Sequence, residues 1–318
     1  MRPPAFWWRD GPVPRLLSPV SALVAAGTAR RVAQPGWRAP VPVLCVGNAG
    51  VGGAGKTTVA LDVAHRLRAR GVDVHCLSRG YGGQVGGVVR VDRRTHDAYQ
   101  VGDEPLLLAE AAPTWVGANR ADAARAAVAA GAQALLMDDG LQHPTLYRDA
   151  SLLVVDGVVG FGNNRVLPAG PLREPVAAAA ARCRAAVLVG EDRAGARSLL
   201  PAGLPVLGAR LVPDARLAGV RVLAFAGIAR PSKFHETLRE AGAVVVAHRD
   251  FPDHHEFRSH ELRAVLADAA DLFATPVTTP KDAVRLPPDV RAQVDVVGVS
   301  LRWDDEGALE RLLRETVP

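Results

Sequence analysis

The most constraining feature of this sequence is a glycine-rich octapeptide between an apolar run and a helical pattern. Gly50-Val-Gly-Gly-Ala-Gly-Lys-Thr57 meets the pattern G-x-x-x-x-G-K-[ST], after the apolar residues 42–48 and before the helically periodic segment 58–71. This order predicts a P-loop, whose backbone N–H groups and helix N-terminus hold phosphate oxygens. We expect Lys56 to reach the β- and γ-phosphates of ATP and Thr57 to bind Mg²⁺. The predicted nucleotide-binding residues are Val51, Gly52, Gly53, Ala54, Gly55, Lys56, Thr57 and Thr58.

Strands and helices alternate twice along the chain, first up to residue 157 and again from residue 220. Such alternation predicts parallel sheets covered by helices on both faces. We therefore expect an α/β fold, with a three-layer α/β/α P-loop domain and a smaller second α/β/α domain. The turn-rich segment 200–218 is expected to join them. The expected divisions are an N-terminal segment at 1–36, a nucleotide-binding core at 37–210 and a smaller C-terminal domain at 211–318.

Two acids follow an apolar run in ALLMDDG, residues 134–140. Because parallel strands end at one edge of a sheet, Asp138 and Asp139 are expected beside the P-loop. Carboxylates there hold Mg²⁺ directly or through water, so Thr57, Asp138 and Asp139 are the predicted metal ligands. A helix cap followed by a turn is the alternative interpretation of the two acids.

Three further polar residues come directly after predicted strands. Arg79 lies in SRGYGG, and Gln142 and His143 follow the two acids in DDGLQH. Ligands of open α/β sheets bind at the carboxyl ends of strands, so these side chains are candidates for substrate contact. A glycine loop with an exposed arginine explains Arg79 equally well.

Three other clusters are weak when taken alone. Asp103 and Glu104 open a predicted helix, where either could simply be a cap. His254 and its neighbouring histidine lie in a proline-containing loop without metal-ligand spacing, which favours acid–base or substrate work over metal binding. Lys281 follows a predicted strand, and a solvated ion pair accounts for it as readily as a functional role does.

The N-terminal segment carries the basic excess of the chain. Residues 1–40 hold six arginines and one acid, which equals the net charge of +5 of the whole chain. The uncharged stretch Leu16–Ala29 is shorter than the roughly 20 residues that cross a bilayer. Its apolar spacing predicts an amphipathic helix on an anionic membrane surface. A signal peptide and a helix packed on the domain are the alternatives.

Charge distribution, cysteine spacing and a missing motif argue against several other classes of protein. The remaining 278 residues have balanced charge, which argues against a nucleic-acid-binding face. The three cysteines lack the spacing of a zinc site, and two of them lie in apolar runs as buried thiols would, which fits a reducing compartment. An N-K-x-D segment, which would favour a GTPase, does not occur. The P-loop and the predicted membrane-surface helix together favour an ATP-dependent kinase with a lipid-like acceptor. A soluble small-molecule kinase and a DNA-partitioning ATPase are its rivals.

Taken together, these segments resemble one family, the tetraacyldisaccharide 4′-kinases of lipid A biosynthesis. The resemblance covers nearly the whole chain, and its segments occur in order. DDGLQH, LPAGPLREP and DHH are the specific ones, whereas a P-loop alone is generic. The others are FWW…LLSPVSAL, RAPVPVLCVGNAGVGGAGKT, SRGYGG, VGDEP, NRADAARAA, RDASLLVVDG, FGNNRV, AGIARPSKF, FPDHHEF and TTPKDAV.

The resemblance implies transfer of the γ-phosphate of ATP to the 4′-hydroxyl of an acylated glucosamine disaccharide 1-phosphate, forming lipid IVA. It implies a peripheral protein on the cytoplasmic face of the bacterial inner membrane, without an obligate protein partner, and two α/β/α units joined by a β linker. By the same resemblance Asp103 looks like the catalytic base and His254 like its partner, and Lys56 of the P-loop completes the predicted catalytic residues. Arg173 and Glu174, with Gln142 and His143, are similar to residues lining the substrate site, where Arg79 is also predicted from its place after a strand.

The sequence departs from the family pattern at three positions. Thr58 replaces a usual proline after the P-loop, and a threonine is tolerated at a helix N-terminus. Pro280 replaces the glutamate of a TTEKDA segment, which weakens any role for that acid. His235 replaces the second phenylalanine of a common RFF segment.

Overall fold

The computed structural model describes residues 3–318, so that Arg2 of the basic N-terminal segment lies outside the described residues. Within that range a nine-stranded sheet has the order β13-β8-β7-β6-β1-β5-β2-β4-β3, and a second sheet has the order β10-β9-β11-β12. The large sheet is parallel except at its edges, where β3 and β13 run antiparallel to their neighbours. The strands are β1 Val43–Gly47, β2 Val74–Ser78, β3 Val88–Arg90, β4 Thr114–Gly117, β5 Ala134–Asp138, β6 Ala150–Asp156, β7 Ala185–Val189, β8 Val206–Pro213, β9 Arg221–Ala226, β10 Val244–Asp250, β11 Thr275–Thr278, β12 Asp295–Val296 and β13 Val299–Trp303.

Helices cover both faces of each sheet. The α-helices are α1 Pro12–Val32, α2 Lys56–Ala69, α3 Ala98–Val101, α4 Asp103–Ala111, α5 Arg120–Ala129, α6 Val176–Ala180, α7 Pro231–Glu240, α8 Ser259–Asp271, α9 Pro280–Ala283, α10 Pro288–Arg291 and α11 Glu306–Thr316. Short 3₁₀ helices span Ala5–Trp8 and Ala196–Leu199.

The large sheet has a separate apolar core on each face because successive strand residues point to opposite sides. Leu44 and Val46 of β1 pack in a cluster with α2, α4 and α11. Val43 and Cys45 pack in a second cluster with α5 on the other face. Along β6 and β7 the second face is covered by α6 and the loop before it. The predicted three-layer α/β/α arrangement is therefore confirmed.

The smaller sheet is layered in the same way. Val222 and Ala224 of β9 pack against Phe234 of α7. Leu223 and Phe225, which alternate with them, pack against α8 on the opposite face. All strand pairs of this sheet are parallel, as expected for βαβ units.

The segment 200–218, expected to join the two units, contains a strand as well as the turns that lead to the smaller sheet. Its residues Val206–Pro213 form β8, which pairs in parallel with β7 and antiparallel with β13. A boundary after residue 210 therefore falls inside a strand of the large sheet. The last strand, β13, and helix α11 also return to the large sheet, so the smaller unit is limited to residues 214–298.

Helix α1 packs on the domain through small residues and leaves large apolar residues in solvent. Its buried positions are Pro14, Ser21 and Thr28, spaced seven apart along one face. Ser21 Oγ accepts a hydrogen bond of 3.1 Å from the Ala169 backbone N–H. Among residues 3–318, no helix is both long and apolar enough to cross a membrane.

We predict that Leu309→Ala in α11 destabilises the P-loop unit. Leu309 is fully buried in the core shared with α2, and such truncations cost about 2–5 kcal/mol. The midpoint temperature of the thermal unfolding transition that nucleotide stabilises should fall. Leu199→Ala is the matched control, because Leu199 is 40% exposed and should change stability by less than about 0.5 kcal/mol. Equal effects of the two substitutions would contradict the assignment of α11 to this unit.

Candidate active site

The predicted P-loop connects β1 to α2. Gly52 and Gly55 adopt φ values of 108° and 88°, which residues with a side chain rarely adopt. Helix α2 begins at Lys56, so its unpaired N–H groups face the loop. Lys56 Nζ lies 3.4 Å from the Gly52 carbonyl oxygen and 3.8 Å from Asp139 Oδ1. The lysine thus points across the loop toward the acids of β5.

Asp138 lies beside the P-loop because β5 is the parallel neighbour of β1, with Val46 opposite Asp138. Thr57 Oγ1 donates a hydrogen bond of 3.0 Å to Asp138 Oδ2. The other oxygen of Asp138 is buried and has no hydrogen-bond partner among the described residues. Burial, together with the charge of Asp139, raises the pKa of Asp138 to about 7. An unpartnered carboxylate oxygen next to a hydroxyl is a donor set that suits Mg²⁺.

Asp139 has the opposite electrostatic environment. Burial disfavours its ionised form, but the charges of Lys56 and Arg173 hold its pKa below the usual range. Arg173 binds both carboxylate oxygens, at 2.9 and 3.0 Å. The backbone of Asp139 has a positive φ of 52°, which is uncommon outside glycine. The two adjacent acids therefore differ in protonation: Asp138 is readily protonated, whereas Asp139 is ionised.

The long loop 157–175 is part of the site and not a free connection. The Arg173 backbone N–H donates to the Ala49 carbonyl at 2.7 Å, next to the P-loop. Gln142 joins the two segments, because its Nε2 donates to Glu174 Oε1 at 2.7 Å and its Oε1 accepts from Arg173 at 3.2 Å. Three predicted substrate residues, Gln142, Arg173 and Glu174, are thus brought together beside Asp139.

Asp103 belongs to the P-loop unit and His254 to the smaller unit, and their side chains lie in contact. His254 Nδ1 lies 3.1 Å from Asp103 Oδ2, and Asp103 is only 2% exposed. Lys281 Nζ donates to Glu104 Oε1 at 2.7 Å and lies 3.7 Å from Asp103 Oδ2. It also lies 3.2 Å from His254 Nε2. The smaller unit therefore supplies a histidine and a lysine to a carboxylate of the P-loop unit.

The charges of this cluster keep Asp103 ionised. Burial disfavours its carboxylate, but the 3.1 Å contact with His254 and the charge of Lys281 hold the Asp103 pKa well below its usual range. The same contact raises the pKa of His254. Burial raises the pKa of Glu104 despite the opposing charge of Lys281. His254 also has a positive φ of 58°, as strained positions at functional sites often do.

Two predicted substrate residues lie at the margin of this arrangement. Arg79 is exposed, and no hydrogen bond or ion pair of its side chain is found within residues 3–318. His143 Nε2 lies 3.0 Å from the Ala118 carbonyl oxygen. Burial and the charges of Arg120 and Arg79 lower the pKa of His143. Arg79 and His143 are therefore close enough to interact electrostatically, but neither contacts Asp103 or Asp139 in the described contacts.

Two charged side chains near the site make ion pairs that the sequence alone did not indicate. Lys281 is the centre of the Asp103 cluster, although its segment alone was compatible with a solvated ion pair. Asp156 ends β6, the other neighbour of β1, and is 1% exposed. It forms ion pairs with Arg230 and with Lys233, the latter at 3.1 Å. The rule that strand ends converge at one edge would have found Asp156, since it follows an apolar run before a glycine.

A P-loop fold with paired acids beside it, and a third carboxylate held by a histidine, defines this protein as a nucleotide-dependent phosphotransferase of the P-loop class. The family model described as Tetraacyldisaccharide-1-P 4′-kinase matches residues 13–318. The chain therefore belongs to the tetraacyldisaccharide 4′-kinase family, whose members are ATP-dependent kinases of lipid A biosynthesis.

Individual relatives agree with this family. The tetraacyldisaccharide 4′-kinase of Rhodospirillum centenum is 55% identical, over 98% of this chain and 96% of that protein. The kinase of Gluconacetobacter diazotrophicus is 57% identical, over 98% of this chain and 97% of that protein. The crystal structure of the "apo" form of LpxK from Aquifex aeolicus in complex with ATP superposes with a TM-score of 0.77. The Aquifex protein is 25% identical to this chain, and the match covers 96% of this chain and all of the Aquifex chain.

We predict that Asp138→Asn stabilises the metal-free protein at high pH. The folded-state pKa of Asp138 is raised to about 7, so its stabilising contribution is complete below about pH 4 and is lost as pH rises to 7. Asparagine keeps the hydrogen bond with Thr57 without the charge. In the presence of chelator, the variant should melt at least about 2 °C above the parent at pH 8. The difference should vanish near pH 4.

Asp139→Asn is the matched control with the opposite sign. The pKa of Asp139 is lowered in the folded state, so its charge stabilises the fold above the ordinary carboxyl pKa. This variant should melt below the parent at pH 8. If both variants shifted the melting temperature at pH 8 in the same direction, the opposite pKa shifts of Asp138 and Asp139 would be contradicted.

Proposed function

We propose that this chain transfers the γ-phosphate of ATP to the 4′-hydroxyl of a tetraacylated disaccharide 1-phosphate, with Asp103 as the base. The observation that carries this proposal is the contact of 3.1 Å between Asp103 and His254, which joins the two units near the P-loop. Asp103 is the first residue of α4, separated from α3 by Gly102 alone, and its carboxylate is buried and ionised.

The nucleotide would bind at residues 51–58. Backbone N–H groups and the N-terminus of α2 provide positive potential for the phosphate oxygens. Lys56, already directed toward the acids, would contact the β- and γ-phosphates. Thr57 and Asp138 have the donor set for Mg²⁺, with Asp139 beside them. When bound, the ion neutralises charge on the phosphate oxygens.

Arg173 and its partners would complete the phosphate side of the cleft. The guanidinium is held by Asp139 on one side and by Gln142 on the other. Glu174 is itself fixed by a bidentate contact with Arg182, at 2.6 and 2.8 Å. A planar arginine held in this way is already oriented for a phosphate group. We assign Arg173 to the transferred phosphate and Gln142 and Glu174 to its orientation.

Proton transfer would take place at the Asp103 cluster. A carboxylate that is ionised over the physiological pH range can accept the proton of the 4′-hydroxyl during phosphoryl transfer. His254 positions that carboxylate through its Nδ1, and Lys281 is held at the same place by Glu104. Phosphoryl transfer depends mainly on alignment and charge neutralisation, which is what this rigid ion cluster provides.

We predict that Asp103→Ala lowers kcat about 10²- to 10⁴-fold, the usual contribution of a general base. The affinity for ATP should change little, because Asp103 is outside the P-loop. Initial rates and nucleotide binding by calorimetry would separate the two effects. Asp253→Ala is the matched control, since Asp253 is 37% exposed and lies 4.0 Å from Lys281. Full turnover by Asp103→Ala would remove this residue from the base role.

The exposed face of α1 supports binding to a lipid surface. Leu16 is 81% exposed and Leu23 is 74% exposed, while the opposite face of the helix is fixed to the loop 157–175. Trp7 Nε1 donates to the Pro168 carbonyl at 3.1 Å, which fixes the preceding segment as well. A helix held by its small residues with leucines outward fits insertion into a membrane interface. We propose the cytoplasmic face of the inner membrane, where the acyl chains of the substrate are anchored.

We predict that Leu16→Ser combined with Leu23→Ser reduces sedimentation with anionic phospholipid vesicles several-fold. The rate of ATP turnover on a detergent-dispersed acceptor should stay at the parental level, because neither leucine contacts the site. Phe273→Ser is the matched control, since Phe273 is 88% exposed on the smaller unit. Vesicle binding equal to that of the parent would argue against the membrane role of α1.

A further inference from the structure

A second cluster of potential metal ligands lies on the smaller unit, away from the residues assigned above. His235 is on α7, and His248 and Asp250 are on β10. Because the two strand residues are two positions apart, both side chains leave the same face of the strand. Strand β10 is at the edge of its sheet within the described residues, and α7 packs against it.

The distances in this cluster fit a small coordination sphere. His235 Nε2 lies 3.1 Å from Asp250 Oδ1, and His248 Nδ1 lies 3.5 Å from the same oxygen. One donor atom from each residue lies within 4.8 Å of those of the others. Tetrahedral zinc, with bonds of about 2.0–2.2 Å, places its ligand atoms roughly 3.3–3.6 Å apart. Two of the three distances between donor atoms are therefore within about 0.2 Å of the spacing in a tetrahedral zinc site.

The buried member of the cluster has an unsatisfied nitrogen. The side chain of His235 is 8% exposed, and its Nε2 makes no hydrogen bond of regular geometry with any described residue. A buried polar atom without a partner is uncommon and calls for an explanation. Burial lowers the pKa of His235, although Asp250 opposes this, so the ring is neutral at pH 7 as a metal ligand must be. Arg239, on the same helix, is the positive charge that acts against a cation here.

We propose that His235, His248 and Asp250 bind a borderline divalent metal ion, with Zn²⁺ as the fitting ion. Imidazole and carboxylate donors suit zinc and its neighbours in the transition series, whereas Mg²⁺ prefers oxygen ligands alone. His248 is 54% exposed and Asp250 is 42% exposed, so water can reach the remaining coordination position. This site is chemically distinct from the Thr57 and Asp138 pair.

The bound ion would fasten α7 to the free edge of the smaller sheet. Helix and edge strand are otherwise joined through the apolar contacts of one face. Asp250 ends β10, and four residues later the chain reaches His254 of the Asp103 cluster. The site thus lies at the base of the loop that carries His254. His235 is also the residue that replaces a phenylalanine of the family pattern, so its chemistry is a property of this chain.

The test is a titration of the chelator-stripped full-length protein with Co²⁺, in the presence of millimolar Mg²⁺ to occupy oxygen-only sites. We expect one equivalent of Co²⁺ to give the visible absorption of a low-coordinate nitrogen and oxygen site, and Zn²⁺ to displace it. His248→Ala, at an exposed position, and His235→Phe should each weaken binding by more than about 10-fold. Zn²⁺ should raise the melting temperature of the parent and not that of His248→Ala.

Two control variants give the titration its specificity. His65→Ala removes an exposed histidine of α2, and His254→Ala removes the histidine of the Asp103 cluster. Both should bind Co²⁺ as the parent does. Unchanged affinity in His235→Phe and His248→Ala would overturn the proposal, as would loss of the absorption in His254→Ala alone. Absence of any stoichiometric Co²⁺ binding by the parent would overturn it as well.

Discussion

The buried carboxylate of Asp103 is the group on which the arrangement of the site depends. A carboxylate that is 2% exposed is unfavourable unless positive or hydrogen-bonding groups surround it. The protein provides these groups from its other unit, through His254 at 3.1 Å and Lys281 at 3.7 Å. The same contacts that make the buried charge tolerable also hold the two sheets together at the cleft. The contacts that stabilise the interface are therefore the same ones that position the proposed base.

The P-loop side of the cleft is built on a related principle, in which each charge is opposed by another. Asp139 is held by Arg173 and Lys56, whereas Asp138 has Thr57 and one oxygen without a partner among the described residues. The unsatisfied oxygen and the raised pKa of Asp138 indicate a place where a cation is favourable. Among the described residues Asp139 is thus paired with two cations and Asp138 with none, and Asp138 lies where Mg²⁺ is proposed to bind.

Much of this fold could be predicted from the sequence, because its signals are local. The apolar run of β1, the glycines of the loop and the periodicity of α2 lie within one segment, and the acids of β5 follow an equally clear strand. The convergence of strand ends at one sheet edge then predicts the neighbourhood of Lys56 and Asp138. The resemblance to the family supplied the pairing of Asp103 with His254.

Long-range pairing could not be predicted in the same way. The turn residues around 200–218 concealed β8, and the return of β13 to the large sheet depends on partners about 90 residues away. The role of Lys281 was likewise hidden, since an ion pair with Glu104 is visible only when both units are placed. For α1 the apolar spacing gave a helix correctly, but its small residues, rather than its leucines, face the protein.

The central claim is that the loop amides and Lys56 hold the ATP phosphates next to the carboxylate-bearing cleft. The most direct measurement is transfer of label from γ-labelled ATP to the tetraacyldisaccharide 1-phosphate lipid, in the parent, in Lys56→Ala and in Arg68→Ala, an exposed control on α2. We predict label at the 4′ position with the parent and the control, and a rate lower by at least about 100-fold for Lys56→Ala. Transfer by Lys56→Ala at the parental rate would contradict the account.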